Sequence, residues 1–216
     1  MKNALLTILI IFWRTLVLLP RNIQNMFSRL FGYVFLILPL KRNKFSKVNI
    51  DLCFPKLSKE EQNQIYKKNV ISFGDVVFST GIAWFWSDMR IRKNISYEIN
   101  GLENLINYQK SNTGIILFFK HSLHLELDAR LLAMNVEIFG VERKHNSEKF
   151  QSLQRNGRLK SMKGVADRNS TLSFIRWLKK GKTVMYAPDQ DYGKDKSIRS
   201  TFFNLPASTI SAPLKI

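Results

Sequence analysis

The sequence predicts an α/β fold: a mostly parallel central sheet flanked by helices, with an N-terminal membrane-anchoring helix. Three observations carry the prediction. Short apolar runs, "TGIILFF" (113–119), "VEIFGVE" (136–142) and "TVMYA" (183–187), alternate with amphipathic stretches of helix length, which is the pattern of βα units on a largely parallel sheet. Titratable residues crowd just after the first of these runs, where strand ends in α/β proteins hold ligands. An apolar stretch opens the chain.

That stretch, "ALLTILIIFWRTLVLL" (4–19), is apolar except for Thr7, Arg14 and Thr15. It is shorter than the roughly 20 residues of a full span, and Arg14 can snorkel from an oblique helix. Pro20 and Arg21 follow it in place of a small-residue cleavage site, so the stretch reads as an uncleaved anchor, either a tilted span or a helix lying in the interface. A second apolar run, 30–40, is expected to pack beside it or to dip into the same leaflet. Residues 1–40 thus form a membrane anchor and amphipathic segment, and 41–216 the remaining domain.

"KRNKFSK" (41–47) reads as a basic juxtamembrane turn. Ser58 with Glu61 is a capping box, and Ile65, Val70, Phe73 and Val77 make a helical apolar stripe behind it. "GIAWFWSDM" (81–89) extends this as aromatic core or interface helix. "ISYEINGLENL" (95–105) predicts a strand, a turn at Gly101 and a helix; "TGIILFF" predicts a buried strand. "LELDARLLAM" is helical, "VEIFGVE" a strand, and 146–163 a polar, basic stretch. A helix starts at Ser170 and closes at Gly181, "TVMYA" is another buried strand, and "PDQDYG" a polar loop.

Charge narrows the function classes. Lys and Arg number 34 against 16 Asp and Glu, a net of +18. The first 50 residues hold Lys2, Arg14, Arg21, Arg29, Lys41, Arg42, Lys44 and Lys47 and no acid, interleaved with the most apolar runs. An anionic membrane explains both features together, whereas nucleic acid explains only the first. The lone Cys53 permits no intrachain disulfide, in keeping with a reducing compartment.

The densest chemistry lies in "KHSLHLELDAR" (120–130). His121 and His124 are three apart, but a zinc site needs a third ligand, so no metal is expected. His124 and Asp128 are helical neighbours at i, i+4. His121 and Glu126 are five apart, across a strand-to-helix turn able to bring the acid onto the imidazole. A histidine held by a carboxylate is a general base for deprotonating an alcohol near neutral pH. On spacing alone, that reading and a hydrogen-bonded structural histidine stand level.

A strand ending in "KHSLHLE", a later "FGVER" and a strand ending in "YAPDQDYG" resemble three blocks of the glycerolipid and lysophospholipid acyltransferase superfamily. Within it, "GIAWFWSDMRI", "HSLHLELDAR", "NGRLKSMKGVADR" and "LKKGKTVMYAPDQDYG" resemble the lauroyl/myristoyl acyltransferases of lipid A biosynthesis, in order, from the N-terminal anchor to near Ile216. The resemblance implies that His121 is the base and Glu126 its partner, with His124 and Asp128 as bystanders. It also implies substrate-binding roles for Arg158 and Asp189 and, more loosely, Arg143.

The implied reaction moves an acyl chain from acyl carrier protein to a hydroxyl of a Kdo-bearing lipid A precursor, without cofactor. The partners are then the acidic carrier protein, the lipid acceptor and an anionic membrane, with no nucleic acid. The implied location is the bacterial inner membrane, with the catalytic domain on its cytoplasmic side. Family members continue beyond the region that here reads "TISAPLKI", so the resemblance implies a domain incomplete at its C-terminus, ending within a helix. Two alternatives accompany this reading: an inactive truncated membrane-associated fragment, or a phospholipid-type acyltransferase, against which "PDQDYG" stands in place of a "PEGTR"-like block.

Overall fold

The computed structural model describes residues 2–190 and 197–211. Four helices come first: α1 (Lys2–Leu18), α2 (Arg21–Ile37), α3 (Lys41–Cys53) and the long α4 (Lys59–Phe85). The capping box forms as expected. The Ser58 side chain accepts from the Glu61 amide, and the Glu61 carboxylate accepts from the Ser58 amide. The basic 41–47 segment is a helix rather than a turn: Leu38, Pro39 and Leu40 supply the break, and α3 leaves α2 at 85°.

α1 and α2 are packed onto α4. Leu16 and Val17 of α1 are buried with Phe78, Ile82 and Trp84 of α4, and the indole of Trp13 donates to the Val77 carbonyl at 2.8 Å. α2 crosses α4 at a point with no room for side chains. A Cβ on Gly74 would sit 1.8 Å from the Ser28 carbonyl oxygen, and one on Gly32 would sit 2.1 Å from that of Ile71. Ser28 also hydrogen-bonds Asp75 there. Close backbone approach of this kind is possible only where the Cβ is missing.

No single helix among the described residues is long and apolar enough to cross a membrane; α2 and α3 meet the test only as a bent pair. The outer faces of α1–α3 nonetheless expose Ile8, Leu9, Phe12, Met26, Ile37 and Phe45.

α4 ends at Phe85, Trp86 is extended, and Ser87 caps α5 (Asp88–Asn94) through the Arg90 amide. Residues 95–99 do not form the expected strand. Ile95 and Tyr97 pack on the first core cluster and Ile99 on the second, so the alternation is real, but among the described residues no strand pairs with them. Gly101, with φ of 78°, starts α6 (Leu102–Lys110).

The sheet contains β1 (Ile115–Phe118), β2 (Phe139–Glu142), β3 (Gly164–Asp167) and β4 (Thr183–Tyr186), in the order β1-β4-β2-β3 and parallel throughout. α7 (Leu125–Ala133), α8 (Glu148–Arg158) and α9 (Thr171–Lys179) connect the strands. β1 is an edge strand and only half-buried, not the buried strand its composition predicts; its Phe118 is 60% exposed. The polar run 146–163 conceals α8, whose Phe150 and Leu153 reach the core around Trp84.

An antiparallel hairpin, β5 (Ser197–Phe202) and β6 (Leu205–Ile210), follows and was not foreseen. The start of "TISAPLKI" therefore belongs to a strand, Thr209 and Ile210 of β6, and not to a helix. Residues 212–216, and Asp191, Tyr192 and Gly193 of "PDQDYG", lie outside the described residues.

Candidate active site

Because the four strands run parallel, the residues that follow them gather along one sheet edge. The register makes a specific neighbour pair. Phe118 of β1 lies opposite Tyr186 of β4, and the Phe119 amide donates to the Tyr186 carbonyl at 2.9 Å. Three residues beyond Phe118 comes His121; three beyond Tyr186 comes Asp189.

The two side chains meet. His121 Nδ1 lies 2.5 Å from Asp189 Oδ1, and the His121 amide donates to Asp189 Oδ2 at 2.6 Å. One carboxylate thus grips both the ring and the backbone of the same histidine. With Nδ1 as the donor, Nε2 is the unprotonated nitrogen available as a base. The His121 side chain is 36% exposed, so a substrate hydroxyl can reach it. Burial alone would raise the Asp189 carboxyl, but hydrogen bonds from the His121 ring and amide outweigh it and hold the carboxyl below its usual range.

Glu126 is not the partner of His121, as the five-residue spacing had led us to expect. It stands on the first turn of α7 and points the other way, accepting from Arg158 Nε at 3.1 Å, from Arg158 Nη2, and from the Trp84 indole at 2.8 Å. Carboxylates are favoured at a helix N-terminus, and here a guanidinium fork completes the site. Among the described residues no hydrogen bond or ion pair joins Glu126 to His121. The acid that local spacing selected is displaced by one 68 positions away.

Arg158, at the end of α8, also lies 3.6 Å from Glu142 through Nη1. Glu142 is buried at the end of β2 and accepts from Arg155 Nε at 2.8 Å and from Gln151 at 2.6 Å. Burial alone would lower the Arg158 guanidinium; the hydrogen bond and charge of Glu126, with the charge of Glu142, more than reverse it, so Arg158 stays cationic. Next to it, Gly157 lies against the Trp84 ring, where a Cβ would come within 2.5 Å.

A small cavity of about 10 Å³ lies among Trp84, Glu126, Arg130, Gly157, Arg158 and Met162, room for one water. Arg143 follows β2 at the same sheet edge and is exposed, with no hydrogen bond or ion pair among the described residues. His124 is the N-cap of α7, and Asp128 accepts from Ser122 at 3.0 Å. Among the described residues neither hydrogen-bonds His121.

Sequence reasoning missed Glu142, Arg155, Gln151 and Trp84. The signal for Glu142 was present: an acid closing the apolar run "VEIFGVE", at the kind of strand end that drew attention to His121.

The arrangement is an imidazole gripped by a carboxylate, and a separate, buried carboxylate–guanidinium network. The imidazole suits proton abstraction from an alcohol, and the paired guanidinium is a fixed positive charge.

Comparison with known proteins returns similar sequences with one kind of activity. A sequence model described as bacterial lipid A biosynthesis acyltransferase matches residues 1–216. The lipid A biosynthesis lauroyltransferase of Escherichia coli (strain K12) is 40% identical over 158 residues, 73% of this chain and 51% of that protein. The palmitoleoyltransferase of the same pathway and strain is 36% identical over 163 residues, 76% and 53% respectively. A lipid A biosynthesis acyltransferase of Haemophilus influenzae (strain ATCC 51907 / DSM 11121 / KW20 / Rd) is 36% identical over 196 residues, 90% and 62%. The chain thus spans about half to three-fifths of the length of these relatives.

Proposed function

The chain belongs to the bacterial lipid A biosynthesis acyltransferase family, and from that premise we propose that it transfers a fatty acyl chain from acyl carrier protein to a hydroxyl of a Kdo-bearing lipid A precursor. The observation that carries the proposal is the Asp189 clamp on His121, which leaves the other ring nitrogen without a hydrogen bond among the described residues.

In the proposed step, His121 Nε2 takes the proton of the acceptor hydroxyl as its oxygen attacks the thioester carbonyl. The tetrahedral intermediate collapses to the ester, and the departing thiolate takes the proton from the imidazolium. Asp189 keeps the ring in the reactive tautomer and stabilises its positive charge. Glu126 and Arg158 act as one unit: the acid fixes the guanidinium, and the guanidinium offers positive charge to the oxyanion or to an acceptor phosphate. Arg143, at the same edge, meets anionic groups of the carrier or acceptor. The exposed apolar face of α1–α3, with its flanking lysines and arginines, anchors the protein on the anionic inner membrane. The catalytic edge then works on the cytoplasmic side, where the carrier protein is.

The test is transfer from acyl carrier protein to the lipid precursor by single variants. His121→Ala should abolish transfer with folding retained, and His124→Ala should be mild; the reverse order would overturn the assignment. Arg158→Lys keeps the charge and loses the planar fork, so it should be impaired at low and high salt alike. A silent lysine variant would remove Arg158 from the site.

A further inference from the structure

Some way from His121, α3, α4 and the β5–β6 hairpin line an open groove of about 500 Å³, in the size range of ligand pockets. Phe45, Ile50, Phe54, Ile65, Phe73 and Phe203 form its apolar wall. It is not an extension of the site already described. From Phe73, where the groove touches α4, to Trp84, where the catalytic network begins, is eleven residues of helix, about 16 Å.

Three features of the groove point to its occupant. Its floor runs into the exposed apolar face of α1–α3: Phe45 is 64% exposed, and Val48 and Leu52 also face outward. Arg42 lines it, on a helix that also carries Lys41, Lys44 and Lys47. The hairpin tip is shaped to cover it. Phe203 and Asn204 take left-handed φ values of 52° and 61°, a conformation that asparagine accepts and a bulky aromatic seldom does. The strained residue turns its ring onto Phe54, 5.3 Å between centroids, and its ring also lies 4.8 Å from that of Phe202.

We propose that this groove takes one acyl chain of an anionic membrane lipid, with Arg42 on the headgroup and the Phe202–Phe203 tip closing over the chain. The site is separate from catalysis and does not rest on the role assigned to His121. It seats the protein on the bilayer by drawing in a lipid chain, which adds chemical selectivity to the surface contact of α1–α3.

The chain's only cysteine, Cys53, lines the groove and is half-buried, so it reports occupancy without mutagenesis. The experiment uses vesicles of phosphatidylglycerol or phosphatidylcholine, each doped with its own lipid carrying a photoreactive group near the end of one acyl chain. Sites of attachment are mapped by peptide mass spectrometry, and alkylation of Cys53 by N-ethylmaleimide is timed in parallel. Phosphatidylglycerol should label segments 45–54 and 65–73 and slow Cys53 alkylation at least fivefold.

Ile65→Trp or Asn69→Trp, the second from an exposed wall that tolerates a large side chain, should cut groove labelling at least fivefold while labelling of residues 4–37 persists. Arg42→Gln should abolish the preference for phosphatidylglycerol over phosphatidylcholine. Label confined to residues 4–37, groove label indifferent to both tryptophans, no lipid preference in the unaltered chain, or Cys53 rates unmoved by vesicles would each overturn the proposal. The last result would mean that the groove is closed by protein.

Discussion

At the scale of single residues, the histidine and its acid make the sharpest prediction. Asp189→Asn preserves shape but removes the charge that steadies the imidazolium, so kcat should fall by roughly 10²–10⁴-fold with KM little changed. Glu126→Gln should act first on stability. It strips the nearer of two carboxylates from a guanidinium whose side chain is 16% exposed, and with Glu142 still 3.6 Å away the loss should fall below the cost of a fully unpaired buried charge, about 3–5 kcal/mol. Denaturant unfolding reads this directly, and adding Arg158→Met should restore part of the loss. If Glu126→Gln abolished transfer without loss of stability while Asp189→Asn was mild, the partner assignments would be reversed. The lowered Asp189 carboxyl also sets a pH window. Its contribution to stability is present above the ordinary aspartate value of about 3.9 and is lost as pH falls through the lower native value. The stability gap between the unaltered chain and Asp189→Asn should therefore hold from neutral pH to about 4 and close below it. His121 was legible in the sequence because a titratable cluster after an apolar run is conspicuous. Its partner was not, because nothing local links positions 121 and 189.

At the scale of elements, the α2–α4 crossing and the α8–Trp84 contact are the vulnerable joints. Gly74→Ala places a methyl group where the Ser28 carbonyl already stands, so the helices must separate, at a cost of about 1–3 kcal/mol or more. Calorimetry or urea unfolding checks it. Gly157→Ala should do something different. It pushes on Trp84, whose indole holds Glu126, and so should lower transfer activity more than its effect on the unfolding midpoint would explain. The sequence marked α4 well, through its capping box and apolar stripe. It failed at 95–99, where alternation was correct but strand pairing depends on a neighbour, and at α8, whose few apolar residues are outnumbered by polar ones. The β5–β6 hairpin escaped because its turn, Phe203–Asn204, lacks the glycine that usually marks one.

At the scale of the molecule, the N-terminal helices have a buried inner face and an exposed outer face, the second assigned to the membrane in the proposed function. Their inner faces complete the core around Phe78, Ile82 and Trp84, so removing residues 2–37 should unfold the domain and not merely release it from membranes. Point changes on the outer faces separate the two roles. Leu9→Asp and Ile37→Asp, at sites 53% and 82% exposed, should leave the fold intact and lower partitioning into anionic vesicles about tenfold or more each, since burying such a side chain contributes about 1.5–3 kcal/mol. Raising salt should weaken what remains by screening the basic flanks. Co-sedimentation with vesicles reads both effects; unchanged binding in both variants would remove α1 and α2 from the membrane face.

The sequence by itself determined the α/β alternation, the strand-end position of His121, the capping of α4 and the motifs that mark the family, because each is written in residues close along the chain. Tertiary structure alone decided which acid pairs with His121 and which with Arg158. Spacing says only what one turn can reach, and Glu126 was within reach. But β1 pairs with β4, and that register sets residue 121 beside residue 189, while α8 folds back to present Arg158 to Glu126. The buried guanidinium claims the nearer carboxylate, since leaving either charge unpaired there is costly, and the histidine is left to the acid that strand order delivers.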